Sequence, residues 1–257
     1  MKWIIIIVLI MIVTGFIWLS QNQDNQNNPS PTPTPTSFQQ PSILDKMTEI
    51  KYQSDSFRYS LIKIENPQKL KLYPNYDSQT SSTDLFVKFN CQFLINAGFY
   101  SEDNQPLGWF VSQKKQIAKF QANSLFNGFL FFKDNQIQIK TIPEEKVDWG
   151  VQTGPLLFEE GKPITLKLTN DKLARRMIAL LDQNNNIIFI VLTNDQSLTS
   201  GPLLVDLPKI LEAIVLKENI NINSAINLDG GMASAYLYGE IIIKEYQPIG
   251  SFFCLEN

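Results

Sequence analysis

The stretch Ala225-Ile226-Asn227-Leu228-Asp229-Gly230-Gly231-Met232-Ala233-Ser234 organises the reading of the whole chain. An apolar run delivers one carboxylate, Asp229, onto a pair of glycines, and apolar sequence resumes beyond it. Paired glycines accept positive φ and let a ligand approach the backbone closely. A carboxylate at the end of a buried strand suits acid–base or metal chemistry. The same residues also read as a plain tight turn with a solvated Asp, because Asp-Gly is a common hairpin signal. What the rest of the chain brings to Asp229 decides between them.

Composition narrows the chemistry first. The 257 residues include no histidine, which excludes Ser-His-Asp and Cys-His triads, His-ligated zinc and His general bases. Carboxylates, Arg, Lys, Tyr, backbone amides or an oxygen-ligated metal remain. The net charge is −3 and no Lys/Arg cluster occurs, so nucleic acid is not an expected partner. A hydrophobic fraction of 44% with 17 Phe predicts a filled core in one sizeable domain.

Outward from the motif toward the N-terminus, residues 3–19 form an apolar, uncharged run preceded by Met1 and Lys2. It is long enough to cross a bilayer. Its exit, Phe16-Ile17-Trp18-Leu19-Ser20-Gln21, places bulky residues where a signal peptidase needs small ones. The expectation is an uncleaved anchor over 1–19, with the remainder outside the cytoplasm in the periplasm or at the cell surface; cleavage would make the protein secreted. Residues 20–49 are rich in Asn, Gln, Ser, Thr and Pro and read as an extended spacer. The folded domain is expected over 50–257.

Within that domain, residues 57–65 read as a strand, and 85–95 alternate with Val87, Phe89, Cys91, Phe93 and Ile95 on one face. Hairpins are expected from 108–113 with 116–120, and from 128–133 with 136–142 across Asp134-Asn135. Residues 148–158 read as strand, glycine turn, strand, and 176–181 and 187–193 flank another turn-rich link. Residues 203–217 are the helix candidate, with Pro208 moving its start to near Asp206. Short strands over 235–238, 241–246 and 251–255 finish the chain. The fold class is α+β: a large, mostly antiparallel twisted sheet system with few helices, preceded by one N-terminal membrane helix. Cys91 and Cys254 are equally compatible with a disulfide and with two small apolar residues.

Four motifs occur in order: Asn96-Ala97-Gly98-Phe99, Gln152-Thr153-Gly154-Pro155-Leu156-Leu157, Arg175-Arg176-Met177-Ile178-Ala179-Leu180 and Asn227-Leu228-Asp229-Gly230-Gly231. Together they resemble the phosphodiester glycosidase family. Asn96, Gly98 and Phe99 match its first motif, residues 154–157 its Gly-Pro-Leu-Leu element, and Arg176 its strand-leading Arg, with Arg175 one register away. The chain departs from the family pattern at Arg176-Met177-Ile178-Ala179-Leu180, at Asn194-Asp195-Gln196 and at Met232-Ala233.

The resemblance implies hydrolysis of a sugar-1-phosphodiester, whose stable anionic leaving group reduces the demand for acid help. Asp229 becomes the expected nucleophile or general base, and Asp195 the second carboxylate, with Glu102 and Asp103 as weaker alternatives. Arg176 is the expected phosphate clamp. Amides at Gly154, Gly230 and Gly231 are expected to form an anion nest. Asn96 and Asn227 would orient sugar hydroxyls or water, with Gly98 and Phe99 lining the site and Thr153 and Ser234 beside it. No cofactor is required. A divalent cation on Asp195 and Asp229 is compatible, although no calcium-loop spacing occurs. Two rival readings stand beside the hydrolase: a non-catalytic carbohydrate-binding or exopolysaccharide-assembly module, and a metal-dependent phosphodiesterase. The expected partners are a phosphodiester-linked sugar or polysaccharide and, through the N-terminal helix, a membrane.

Overall fold

Alternating and continuous apolar runs, cut by turn residues, form seventeen strands among the described residues, 42–257 of a computed structural model. The expected anchor and residues 20–41 of the expected spacer lie outside them. In chain order, Thr48–Tyr52 (β1) and Asp55–Lys63 (β2) form a hairpin and Leu70–Pro74 (β3) follows. The short helix Ser82–Lys88 (α1) leads into Cys91–Asn96 (β4). Phe110–Ser112 (β5) pairs with Lys115–Ala118 (β6), and Gly128–Lys133 (β7) with Gln136–Lys140 (β8). Trp149–Thr153 (β9), Leu156–Glu159 (β10), Lys162–Pro163 (β11), Arg176–Asp182 (β12) and Ile187–Asn194 (β13) come next. Helix Leu207–Lys217 (α2) precedes Ile222–Asn227 (β14), and Tyr236–Tyr238 (β15), Ile241–Ile243 (β16) and Ser251–Glu256 (β17) complete the domain. No described helix is long and apolar enough to cross a membrane.

Three antiparallel sheets result, ordered β1-β2-β13-β12-β14-β10-β11, β16-β15-β4-β17-β3 and β6-β5-β9-β7-β8. The seven-stranded sheet is covered on both faces, which explains why β12 and β13 read as unbroken apolar runs. On one face Leu207, Ile210, Leu211 and Ile214 of α2 pack on Ile178, Leu180, Ile190 and Ala225. On the other, Met177, Ala179, Phe189 and Ile226 meet Phe93, Ile95 and Phe253 from the second sheet and Leu130 and Val151 from the third. Each such side chain contributes about 1.5–3 kcal/mol by leaving water. The α+β reading holds for the described residues.

The alternation over 85–95 does not form one strand. Ser81 caps a helix instead: its hydroxyl accepts from Asp84 N at 3.2 Å, and Asp84 lies in the first turn. Val87, expected on a buried face, is 77% exposed, whereas Leu85 is buried. Asn90 at φ 51 then breaks the helix before β4 starts. A cap of four hydroxyl and acidic residues outcompetes a weak period of two.

Other local signals carried through. Asp134 and Asn135 take φ 50 and 63, as a two-residue hairpin turn requires. Helix α2 begins at Leu207 with Pro208 in its first turn. A 3-10 turn over Ile43–Lys46 and the start of β1 occupy the end of the expected spacer. Cys91 and Cys254 are disulfide-bonded with Cα atoms 5.5 Å apart, tying neighbouring strands β4 and β17.

Candidate active site

Strands β4 and β14 belong to different sheets, and their C-terminal ends meet. Leu228 N still donates to Met177 O of β12 at 2.8 Å, but Asp229 N donates to Ala97 O, just past β4, at 2.9 Å. The chain therefore crosses from one sheet to the next at Asp229. Asn96, 1% exposed, clamps this crossing: its amide donates to Asp229 O at 2.6 Å and its carbonyl accepts from Ala235 N at 3.0 Å.

The paired glycines have two separate reasons. A Cβ on Gly230 would stand 2.6 Å from Arg175 O, a backbone atom that cannot yield. Gly231 adopts φ 66 with room for a Cβ, which would make only an ordinary contact with Ala174 Cβ at 3.9 Å, and its amide donates to Arg175 O at 2.9 Å. Gly230 N–H is directed to the carboxylate of Asp229. Both amides are thus used by the protein, and the expected anion nest at Gly230 and Gly231 is not free in this conformation.

Burial pushes the Asp229 carboxyl up to about 8, opposed only by the Gly230 amide. The side chain keeps some solvent access but is densely surrounded by protein. No cation among the described residues offsets this burial, and Arg175 and Arg176 both face elsewhere. Fully buried Arg175 donates to Ser234 Oγ at 2.9 Å, Leu198 O at 3.0 Å, Gly231 O at 3.3 Å and Lys244 O at 3.2 Å, and also to Ser234 O. Burial lowers its pKa to about 10. Arg176, the expected phosphate clamp, lies on the α2 side of the sheet. It donates to Pro202 O at 3.0 Å and Lys172 O at 2.6 Å and pairs with Asp171 at 3.3 Å. Arg175 braces the turn that carries Asp229; Arg176 holds a neighbouring loop and does not reach the carboxyl.

The second motif also arrives here. Thr153 Oγ1 donates to Asn227 O at 2.9 Å, and Asn227 Nδ2 donates to Gly154 O at 2.9 Å. Asn227 is 2% exposed, and its Oδ1 finds no protein partner among the described residues. A Cβ on Gly154 would meet Leu125 O at 2.3 Å, and one on Gly98 would meet Val151 Cγ2 at 2.5 Å. Phe99 stacks on Phe126 with ring centroids 4.4 Å apart, both half-buried. Ser234 is fully buried, donating to Gly231 O at 2.6 Å.

Asp195 is not brought to Asp229. It follows β13, where its amide donates to Ser56 O, and β12 separates β13 from β14. Two strand spacings amount to about 10 Å. Glu102 and Asp103 lie exposed in a turn beyond Phe99. Among the described residues no three His, Cys, Asp or Glu side chains cluster to hold a metal. Two surface cavities of about 560 and 620 Å³, against Trp109 and Phe120 and against Tyr73 and Trp149, do not include Asp229.

Three neighbours have roles the sequence did not assign: Gln152, which opens the second motif, and two tyrosines outside every motif. Gln152, 1% exposed, accepts from Trp109 N and Gln121 N and donates to Gln121 O and Phe126 O. It thereby fixes the loop that carries Phe126. Tyr76 and Tyr100 both press on Gly250, at 2.7 and 2.8 Å from where its Cβ would be. Both phenols are raised by burial, a hydrogen bond with the Ser251 side chain opposes the rise at Tyr76, and the Asp229 charge adds a smaller upward push to each. Their loops show no periodicity that would have flagged them.

A family profile described as phosphodiester glycosidase matches residues 89–252, a span that takes in all four motifs. Among solved structures, the chain is similar to a zebrafish N-acetylglucosamine-1-phosphodiester alpha-N-acetylglucosaminidase catalytic domain, described as auto-inhibited by its pro-peptide. That match has a TM-score of 0.64 at 15% identity, over 82% of this chain and 81% of that one. A hypothetical protein from Synechocystis matches with TM-score 0.54 at 16% identity, over 81% and 61% of the two chains. A protein of Burkholderia pseudomallei described as exported matches with TM-score 0.54 at 10% identity, over 79% and 75%. These structural likenesses show the fold. No curated protein sequence matches significantly.

Proposed function

The chain belongs to the phosphodiester glycosidase family, and from that premise we propose that it hydrolyses a sugar-1-phosphodiester outside the cytoplasm, with Asp229 as the reacting carboxyl. The observation that carries this reading is the Asp229 carboxyl itself, densely surrounded, without a cationic partner among the described residues and raised to about 8. At neutral pH such a group is mostly protonated, the state a general acid needs. This moves its role from the expected nucleophile or general base toward proton donor.

A neutral acid also suits an anionic substrate. With Arg175 and Arg176 both committed to protein acceptors, a carboxylate beside a phosphodiester would meet uncompensated repulsion, whereas a carboxylic acid donates a hydrogen bond to it. The carboxyl proton passes to the oxygen bridging the anomeric carbon and phosphorus as the carbon–oxygen bond breaks. Water adds at the anomeric carbon and its proton restores the acid, so the products are a free sugar and a phosphate monoester. Asn227 Oδ1, buried and without a protein partner, is an acceptor for a sugar hydroxyl or for that water. The stacked Phe99–Phe126 pair offers an apolar face to a sugar ring. Asn96 spends both polar atoms on the turn, so its role is to hold Asp229 in place.

The Cys91–Cys254 disulfide supports an oxidising compartment, in keeping with the anchor over 1–19 and the spacer over 20–49 expected from the sequence. Incubating the detergent-solubilised full chain with nucleotide-sugars and synthetic sugar-1-phosphodiesters tests the reading. Free sugar should be released by the wild type and lost in Asp229→Asn. Sugar binding without turnover of any phosphodiester would favour the carbohydrate-binding module, the alternative supported by the two committed arginines. Loss of turnover in chelator and recovery with a divalent cation would favour the metal-dependent phosphodiesterase.

A further inference from the structure

Residues 120–126, which link β6 to β7, make no backbone–backbone hydrogen bond among the described residues. Asn123 Oδ1 closes the stretch on itself, accepting from Leu125 N at 2.8 Å and from Phe126 N at 3.0 Å. The hydrogen bonds that tie both ends of this loop to the sheet come from one side chain. Gln152 Nε2 donates to Gln121 O at 2.6 Å and to Phe126 O at 2.9 Å, while its Oε1 accepts from Gln121 N at 3.2 Å and from Trp109 N at 2.9 Å. Two donors and two lone pairs are all that a side-chain amide has, so the four bonds use its full capacity.

The scaffold sets the position of that amide. Gln152 lies in β9, the central strand of its sheet, and its own N–H donates to Trp109 O at 2.7 Å. Gly108, at φ 102, leaves the side chain its space, since a Cβ there would stand 2.5 Å from Gln152 Oε1. The first motif runs against the same residue: a Cβ on Gly98 would lie 3.4 Å from Gln152 O. The next residue, Phe99, stacks on Phe126 with the ring planes 25° apart. The two half-buried rings therefore belong to separate loops, and Gln152 lies against both.

We propose that Gln152 is a positioning residue for the sugar: it latches the 120–126 loop so that Phe126 meets Phe99 as one apolar wall of the site. The inference rests on the reading of that aromatic pair as a face for a sugar ring. The Gln152 side chain makes none of the hydrogen bonds that hold Asp229 and its turn, so releasing the latch weakens the hold on the sugar and leaves the acid in place. A wall that meets substrate and transition state alike acts on KM and not on kcat.

The test uses the detergent-solubilised full chain with nucleotide-sugars and synthetic sugar-1-phosphodiesters. Gln152→Met keeps the length of the side chain and removes its four hydrogen bonds; Gln152→Glu turns a carboxylate oxygen toward the carbonyls of Gln121 and Phe126. Each should raise KM about tenfold and leave kcat within about twofold. Phe126→Ala should raise KM similarly, and adding Gln152→Met to it should make KM no worse, because both changes remove one contact. Amide exchange should speed up over 120–126 and stay slow in β7, β9 and β14. A fall in kcat as large as the rise in KM overturns the proposal, as do additive effects in the double variant and unchanged exchange over the loop. Accelerated exchange throughout the sheet in both Gln152 variants makes the residue structural and overturns it too. If the wild type turns over no phosphodiester, calorimetric binding of the same compounds replaces KM. A tenfold loss of affinity in Gln152→Met then upholds the latch and overturns only the catalytic reading, unchanged affinity overturns the latch, and a wild type that binds none of them overturns both.

Discussion

Replacing Asp229 with Asn removes a carboxyl whose ionisation opposes folding, and the effect must depend on pH. Unfolded, the group titrates near 3.8; folded, burial raises it to about 8. The folded state therefore binds the proton more tightly. The wild type has its full share of stability below 3.8 and loses it as pH rises toward 8, at up to about 1.4 kcal/mol per pH unit. The ceiling over that window is about 6 kcal/mol, and the residual solvent access of the side chain reduces the expectation to about 2–4 kcal/mol. Asn cannot ionise, so Asp229→Asn should gain on the wild type by that amount between pH 4 and pH 8. In a domain of this size that corresponds to about 5–15 °C in Tm. Urea denaturation at each pH reads it directly. A difference between the two proteins that stays constant from pH 4 to pH 8 would refute the burial argument and with it the protonated acid.

Three further outcomes follow from the same geometry. If Asp229 donates a proton, kcat/KM for a sugar-1-phosphodiester should fall as pH rises through about 8; a rate that climbs through that pH would return it to nucleophile or base. Gly230→Ala should destabilise by more than about 2 kcal/mol, since its Cβ meets backbone at 2.6 Å, whereas Gly231→Ala should cost only about 1 kcal/mol for its positive φ; thermal melts of the pair compare them. Arg175→Leu should cost about 3–5 kcal/mol and abolish activity by releasing the 230–234 turn, because it strands four carbonyls and a hydroxyl. Arg176→Leu should destabilise but leave measurable turnover.

A chain without histidine confines its chemistry to a few groups whatever its fold, and a carboxylate on paired glycines was visible among them before any geometry. Hairpins with Asp134-Asn135 at the turn, the helix from Leu207 and the doubly buried strands were likewise legible, because period and turn chemistry act over a few residues. The helix over Ser82–Lys88 was not, since capping hydrogen bonds and alternation compete there and only packing tips the balance. Tertiary structure alone decided what surrounds Asp229. The meeting of β4 with β14 joins residues more than a hundred positions apart, and no local pattern encodes it. Which face each of two adjacent arginines takes depends on strand register, and that sent Arg175 to the turn and Arg176 to Asp171. Burial, a property of the whole fold, then changes Asp229-Gly230-Gly231 from a solvated turn into a densely surrounded acid.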